Sequence, residues 1–346
     1  MEVLVNPGGP SAVRSDDPAA AGDTVRGDRD LWDEVFASQN LVTALKRVER
    51  NRGAAGVDGV ETHELRDWCR QHWVTTRAAL DAGTYRPSPV RQVMIPKPDG
   101  GQRKLGVPTV LDRLIQQAIA QVLSPVFDPG FVPVSYGFRP GKSAHDAVKV
   151  ARLVIEQGYR WVVEVDLDAF FDRVNHDILI SRVARQVKDK RLLKLIRAYL
   201  EAGIMVDGVR QRAGGGTPQG SPLSPLLSNI MLDDFDQEFW GRGHRFVRYA
   251  DDIRVFVKSK RAAERVLEQS TRLLEQRLKL KVNVAKSVIA PAATAVLLGY
   301  GFYFTSSGVR LRIAPKAWLR AKARIRALTS RRWSVSMDYR VRRLNQ

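Results

Sequence analysis

Two short runs of β-branched and aromatic residues each end in carboxylates, and this constrains the fold of the chain more than any other feature. The run WVVEV, from Trp161 to Val165, leads straight into Asp166. Phe246 to Tyr249 and Ile253 to Val257 read as the two arms of a hairpin around Ala250-Asp251-Asp252. That turn holds no Gly or Asn to ease a positive φ, so its residues are not chosen for turn chemistry. If the two segments neighbour each other in one sheet, Asp166 and Asp251 converge at one end of it. Two carboxylates ~4 Å apart repel by about 4 kcal/mol at an effective dielectric of about 20, so a cluster of three calls for protonation or a bound cation. Oxygen-only ligands favour Mg²⁺ or Mn²⁺. Two such ions ~3.5 to 4 Å apart can activate a hydroxyl, stabilise a phosphoryl group in flight and hold the leaving oxygen. An Asp-Asp pair in a turn is ordinary on its own; the partner strand ending in Asp166 is what points to phosphoryl transfer.

A polyanionic partner fits the rest of the chain. Lys plus Arg number 56 against 37 for Asp plus Glu, a net charge of +19. From Arg310 to Gln346 there are twelve basic residues and a single acid, Asp338, which puts +11 in the tail. Trp318, Ala321, Ile325 and Leu328 follow helical spacing there, so one face can pack while Arg320, Lys322, Arg324 and Arg326 remain free for phosphates. A membrane is the second candidate for so basic a chain. No run approaches the ~18 to 20 apolar residues that span a bilayer, and no signal-peptide pattern opens the sequence. The single cysteine, Cys69, excludes an intramolecular disulfide and a Cys-rich zinc site, and the five histidines form no short-spaced ligand pair.

The spacing of apolar residues predicts an α+β fold with an antiparallel sheet. Residues 1–27, rich in Pro, Gly, Ala, Ser and Asp, read as a disordered leader. Helices are expected over Leu31 to Val48, Val60 to Ala82, Leu111 to Leu123, Ala147 to Glu156, Asp177 to Ala202, a stretch ending near Trp240, and Ala262 to Leu278. VRQVMIPKPDGGQRKLGVP reads as a hairpin around Pro98-Asp99-Gly100-Gly101, bearing Lys97, Arg103 and Lys104, which a triphosphate could use. Gly214-Gly215-Gly216 and Gly220, around Pro218-Gln219, allow close backbone approach to a base pair.

These residues resemble the reverse transcriptases of bacterial group II introns, the intron-encoded reverse transcriptase/maturase family. The likeness runs from about Ser38 to Gln346 through SQNLVTALKRVERNRGAAGVDGV, IPKPDGGQRKLGVPTVLDRLIQQAI, SYGFRPGKSAHDAV, EVDLDAFFDRVNH, GGGTPQGSPLSPLLSNIMLDDFD, RYADD, NVAKS and LLGYGF. Retron and diversity-generating reverse transcriptases share YxDD-type sites but look less like the stretches around PQGSPLSPLLSN and VPTVLDRLIQQAI.

The resemblance implies a right-hand fold: 28–90 as N-terminal extension and start of the fingers, 91–160 fingers, 161–308 palm, and 309–346 the start of a basic, truncated thumb. It implies Asp166 as first metal ligand with the Leu167 carbonyl beside it, Asp251 as the ligand shared by both ions, and Asp252 completing the triad, more to orient than to bind. Two Mg²⁺ ions are implied, with Mn²⁺ able to substitute. Phe171 matches the steric gate against a 2′-hydroxyl, with a core aromatic beside Phe170 as the plain alternative. Lys97, Arg103, Gln219 and Gly220 match the dNTP pocket. Lys104 stands where many relatives have Pro, a departure expected to leave the contacts untouched. Lys286 resembles a lysine that protonates departing pyrophosphate, and Gly299-Tyr300-Gly301 the primer grip. Asp168 is expected as a helix or turn cap and Asp172 as a solvent-facing polar residue.

The function so implied is an RNA-directed DNA polymerase that extends a DNA primer with dNTPs on group II intron RNA, assists splicing as a maturase and supports intron mobility, in the cytoplasm and on nucleoid or ribonucleoprotein. No DNA-binding extension or HNH-type endonuclease is visible. Two rivals remain: an RNA-binding splicing cofactor without polymerase activity, disfavoured by the complete acid set, and an RNA-dependent RNA polymerase, disfavoured by Phe171.

Overall fold

The computed structural model describes residues 30–96, 101–206, 209–211, 216, 220–330 and 334–344. The leader, Lys97, the turn at 98–100, Gly214, Gly215, Pro218 and Gln219 lie outside the described residues.

Capping and local breaks decide where the helices begin and end. Asp30 accepts from the Trp32 N–H and starts α1 (Leu31–Phe36). The single helix expected from Leu31 is broken at Ala37, which is extended, so that α2 (Ser38–Asn51) starts afresh. Residues 62–64 form a turn and α3 is confined to Leu65–Asp81. The basic hairpin forms as expected from β1 (Val90–Pro96) and β2 (Gln102–Val107). Thr109 caps α4 (Val110–Phe127) and Ser143 caps α5 (Ala144–Glu156), each accepting from an N–H three residues on.

The central strand β3 (Trp161–Val165) has the expected bounds and is followed by the short α6 (Phe170–Arg173). The expected Asp177 to Ala202 helix is two: α7 (His176–Gln186) and α8 (Lys190–Glu201). Val187 is buried and extended between them, and Asp189 caps the second by accepting from the N–H groups of Arg191 and Leu192. The chain continues through β4 (Ile204–Val206), β5 (Val209–Gln211), α9 (Ser224–Gly241), β6 (Arg245–Tyr249), β7 (Asp252–Val257) and α10 (Lys260–Arg272). It ends in β8 (Val288–Pro291), β9 (Val296–Leu297), β10 (Tyr300–Thr305), β11 (Gly308–Ile313), α11 (Pro315–Thr329) and α12 (Met337–Leu344).

Three sheets result, ordered β2-β1-β4-β5, β6-β7-β3-β8 and β11-β10-β9. The middle one is antiparallel throughout, as expected. Successive residues of β3 and β7, such as Val162 and Val163 or Val255 and Phe256, are all buried, so this sheet is covered on both faces; α10 packs against both strands and α5 against β6 and β7. Residues 134–136 extend it beside β6: Ser135 bridges Arg248 in parallel, and the Tyr136 N–H donates to the Arg248 carbonyl at 2.8 Å.

The tail departs from expectation. Trp318 and Ile325 were expected to pack, yet they are 46% and 52% exposed, and only Leu328 of that stripe is buried. No described element covers this face of α11, whose main neighbour is α12. Among the described residues no helix is long and apolar enough to cross a membrane.

Candidate active site

Strand register brings the acids together. Val165 pairs with Ile253 and Tyr249 with Asp252, so Asp166 leaves β3 beside the turn that carries Asp251. The turn is shorter than expected, because Asp252 already belongs to β7 and only Ala250 and Asp251 link the strands. Ala250 has a φ of 58°, the left-handed conformation that the absence of Gly or Asn seemed to exclude.

Tertiary contacts impose that conformation. Arg248 is completely buried, and its Nη1 donates to the Ala250 carbonyl at 2.8 Å and to Asn229 Oδ1 at 2.9 Å. Its Nε and Nη2 donate to both carboxylate oxygens of Asp236, also completely buried, at 2.5 to 2.9 Å. Asn229 donates in turn to the Gly137 carbonyl at 2.9 Å, and a Cβ on Gly137 would collide with the Ala250 backbone nitrogen. Sequence reading missed this network. Its one signal was a basic residue on the same strand face as Phe246 in an otherwise apolar run, which requires a buried acid elsewhere in the fold.

Asp166 is half-buried and Asp251 exposed, and both line a cavity of 620 Å³. Burial, and then the nearby Asp251 charge, push the Asp166 carboxyl up, against the pull of Lys286. The loop before β8 braces this acid. Asp166 N–H donates to Ser287 Oγ at 3.1 Å, its carbonyl accepts from Asn283 N–H at 2.8 Å, and Leu167 bridges Val282.

Asp252 behaves differently and is not among the residues lining the cavity. Its carboxylate forms an ion pair with Arg254, which also holds Glu164 across the sheet at 2.7 Å. Burial pushes the Asp252 carboxyl up to about 6 despite Arg254.

The fingers-like hairpin supplies the opposite wall. Gln102, Arg103 and Lys104, all exposed, line the cavity. Gly220 lies against the same strand, where a Cβ would stand 2.8 Å from Leu105 Cδ1 and 2.9 Å from the Gly106 carbonyl oxygen. Its φ of 114° also requires glycine.

Phe170 is buried and Phe171 half-buried; the two rings meet edge-on at 5.1 Å, and both residues line the cavity. Gly216 packs against Phe171, where a Cβ would lie 2.5 Å from the Phe171 carbonyl oxygen. Asp168 is not the helix cap: Ala169 holds the N-cap position of α6, without a side-chain hydrogen bond, and the Asp168 carboxylate pairs with Arg173 at 3.0 Å. Asp172 faces solvent as expected.

Lys286 and Arg320 line the cavity too. Lys322 stands over the Trp318 ring at 5.1 Å, and Arg324 and Arg326 are exposed on α11 away from the cavity. Gly299, Tyr300 and Gly301 also lie apart from it. Leu298 and Gly299, with φ of 50° and 87°, make the turn between β9 and β10, and Tyr300 Oη meets His145 Nε2 at 3.1 Å.

Comparison with known proteins agrees with this arrangement. The family model described as reverse transcriptase (RNA-dependent DNA polymerase) matches residues 95–302. Protein YkfC of Escherichia coli is 35% identical over 289 residues, covering 72% of this chain and 76% of that protein. The group II intron-encoded protein LtrA of Lactococcus lactis is 41% identical over 160 residues, 46% of this chain but 26% of LtrA. Among solved structures, apo telomerase from Candida tropicalis shares the fold with a TM-score of 0.50 and 14% identity, over 72% of this chain and 53% of that one. With the motif-bearing strands, the hairpin and the acids in one polymerase-like arrangement, the chain belongs to the reverse transcriptase (RNA-dependent DNA polymerase) family, as a relative of the group II intron-encoded proteins.

Proposed function

We propose that this reverse transcriptase extends the 3′-hydroxyl of a DNA primer with dNTPs on an RNA template, and that Asp166 and Asp251 are its metal-holding acids. The observation that carries this reading is the convergence of those two carboxylates on one cavity with Arg103 and Phe171. Residues 91–160 then serve as fingers, 161–308 as palm and 309–346 as the start of the thumb.

The donor set fits a hard divalent cation. The two carboxylates line one cavity, neither of them in an ion pair among the described residues, and the donor atoms are all oxygen. Among the described residues no group of three or more His, Cys, Asp or Glu side chains is arranged to hold a metal ion, and the Asp252 carboxylate pairs with Arg254. Asp166, Asp251 and the Leu167 carbonyl would therefore hold Mg²⁺, or Mn²⁺ in its place, with Asp252 fixing the turn. Bound there, the ions supply charge stabilisation to the phosphoryl group and activate the primer hydroxyl.

The chain's own residues do the rest. Arg103, with Lys104 and the expected Lys97, binds the triphosphate, and Gln219 and Gly220 form the floor on which the new base pair lies. Lys286, which lines the same cavity, gives a proton to departing pyrophosphate. Gly299, Tyr300 and Gly301 hold the primer, and Arg320, Lys322, Arg324 and Arg326 bind the template–primer backbone. Kinship with LtrA extends the proposal to group II intron RNA as natural template and splicing partner, and to a cytoplasmic ribonucleoprotein. Primer extension on oligo(dT)·poly(rA) with dTTP and Mg²⁺ tests this directly. Tight binding of intron RNA without synthesis would overturn it in favour of a splicing cofactor.

The sugar gate makes a separate prediction. Phe171→Ala opens the space under the ribose and raises NTP use relative to dNTP roughly 10- to 200-fold. Competitive single-nucleotide incorporation measures it, and unchanged discrimination would return Phe171 to the role of a packing residue.

A further inference from the structure

A single exposed aromatic on a protein surface is ordinary. Phe138 is not ordinary, because its backbone is also held where an aromatic residue is disfavoured. Its φ is 60°, in the left-handed region that glycine or asparagine occupies at lower cost, and it is 54% exposed.

Both neighbours prevent it from relaxing. Gly137 is wedged against the Ala250 backbone and its carbonyl is held by Asn229. Arg139 has its guanidinium engaged by Asp128 and by the carbonyls of Val132 and Ser135. The chain thus enters and leaves residue 138 along fixed paths. A glycine would serve that turn better, and the core gains little from a ring that is mostly in solvent.

The ring's aromatic neighbour identifies what it can do. It stands 6.4 Å from Tyr249, tilted by 45°, and Tyr249 is the half-buried residue two positions before Asp251. Two rings therefore adjoin at the edge of the catalytic turn, on a chain of net charge +19. Exposed rings beside a basic, strand-binding channel are the usual platforms for nucleotides, since every base offers a π-face whatever its sequence.

We propose that Phe138 is a stacking residue for the nucleic acid at the catalytic turn, taking the face of a nucleotide of the template–primer and extending the platform begun by Tyr249. The inference rests on the reverse transcriptase reading of the same site. It predicts recognition that is independent of base identity, because nothing at Phe138 offers a hydrogen bond to a base edge.

The test uses the full chain with Mg²⁺ and a fluorescein-labelled oligo(dT)·poly(rA) duplex, read by anisotropy and by steady-state primer extension. Phe138→Ala weakens binding and raises the KM for template–primer roughly 5- to 100-fold, with kcat changing less. Phe138→Trp restores both. Phe138→Gly relieves the backbone strain, so it shows the same loss of affinity with a thermal midpoint at or above that of the parent chain, a combination that a packing role cannot produce. Unchanged affinity in the Ala and Gly variants, or a fall in kcat with KM constant, would overturn the proposal. Anisotropy reports on Phe138 even without synthesis: a parent chain that binds the duplex but extends no primer counts against the polymerase reading alone.

Discussion

Asp251→Asn lowers the rate of nucleotide incorporation by roughly 10³-fold or more while leaving the fold intact. The amide keeps the size of the side chain and removes its charge, so only interactions that require a carboxylate are lost. Stabilising the charge on a phosphoryl group in transfer is worth several kcal/mol, and each 1.36 kcal/mol is about tenfold in rate. Stability moves the other way. Asp251 is exposed, and its charge helps to push the Asp166 carboxyl up, so removing it relieves repulsion rather than breaking a buried pair. Single-nucleotide incorporation and thermal unfolding of the same preparation separate the two effects. Synthesis within tenfold of the parent rate would remove Asp251 from the metal site. Asp252→Asn is expected to act through Arg254 instead, since that ion pair is where its carboxylate lies.

What could be read from the sequence was whatever depends on a short window. β3 was legible to the residue because Trp161 to Val165 is an uninterrupted β-forming run ending in an acid. The two strands of the basic hairpin were legible for a similar reason: alternation around a Pro-Asp-Gly-Gly turn. Helix breaks at Ala37 and Val187 were not, since apolar spacing continues across both and the break is set by caps and burial. The acids' convergence was legible because two strands ended alike, but the direction of the Asp252 carboxylate was not: it depends on Arg254 and, across the sheet, on Glu164. The apolar stripe on α11 is present as the spacing requires, and periodicity alone says nothing about what covers it. Least legible was the support of the Ala250-Asp251 turn, which joins Gly137, Asn229, Asp236 and Arg248 from three separate segments.

That support carries a large stability effect. Asp236→Ala leaves the Arg248 guanidinium buried without its counter-ion, and such a loss costs about 3 to 5 kcal/mol. Replacing both charges at once, as in Arg248→Met with Asp236→Leu, removes the unpaired charge and is expected to recover most of that stability. Catalysis should not recover with it. The double variant still lacks the Nη1 donor to the Ala250 carbonyl and to Asn229, and Ala250 keeps its left-handed conformation only while its surroundings impose it. A buried acceptor left without its donor costs about 1 to 3 kcal/mol, enough to favour a relaxed turn and move Asp251 away from Asp166. Urea unfolding of the single and double variants, alongside single-nucleotide incorporation, gives the decisive comparison. Stability restored with synthesis still depressed at least roughly tenfold makes the pair a device for aiming Asp251, whereas recovery of both reduces it to core packing.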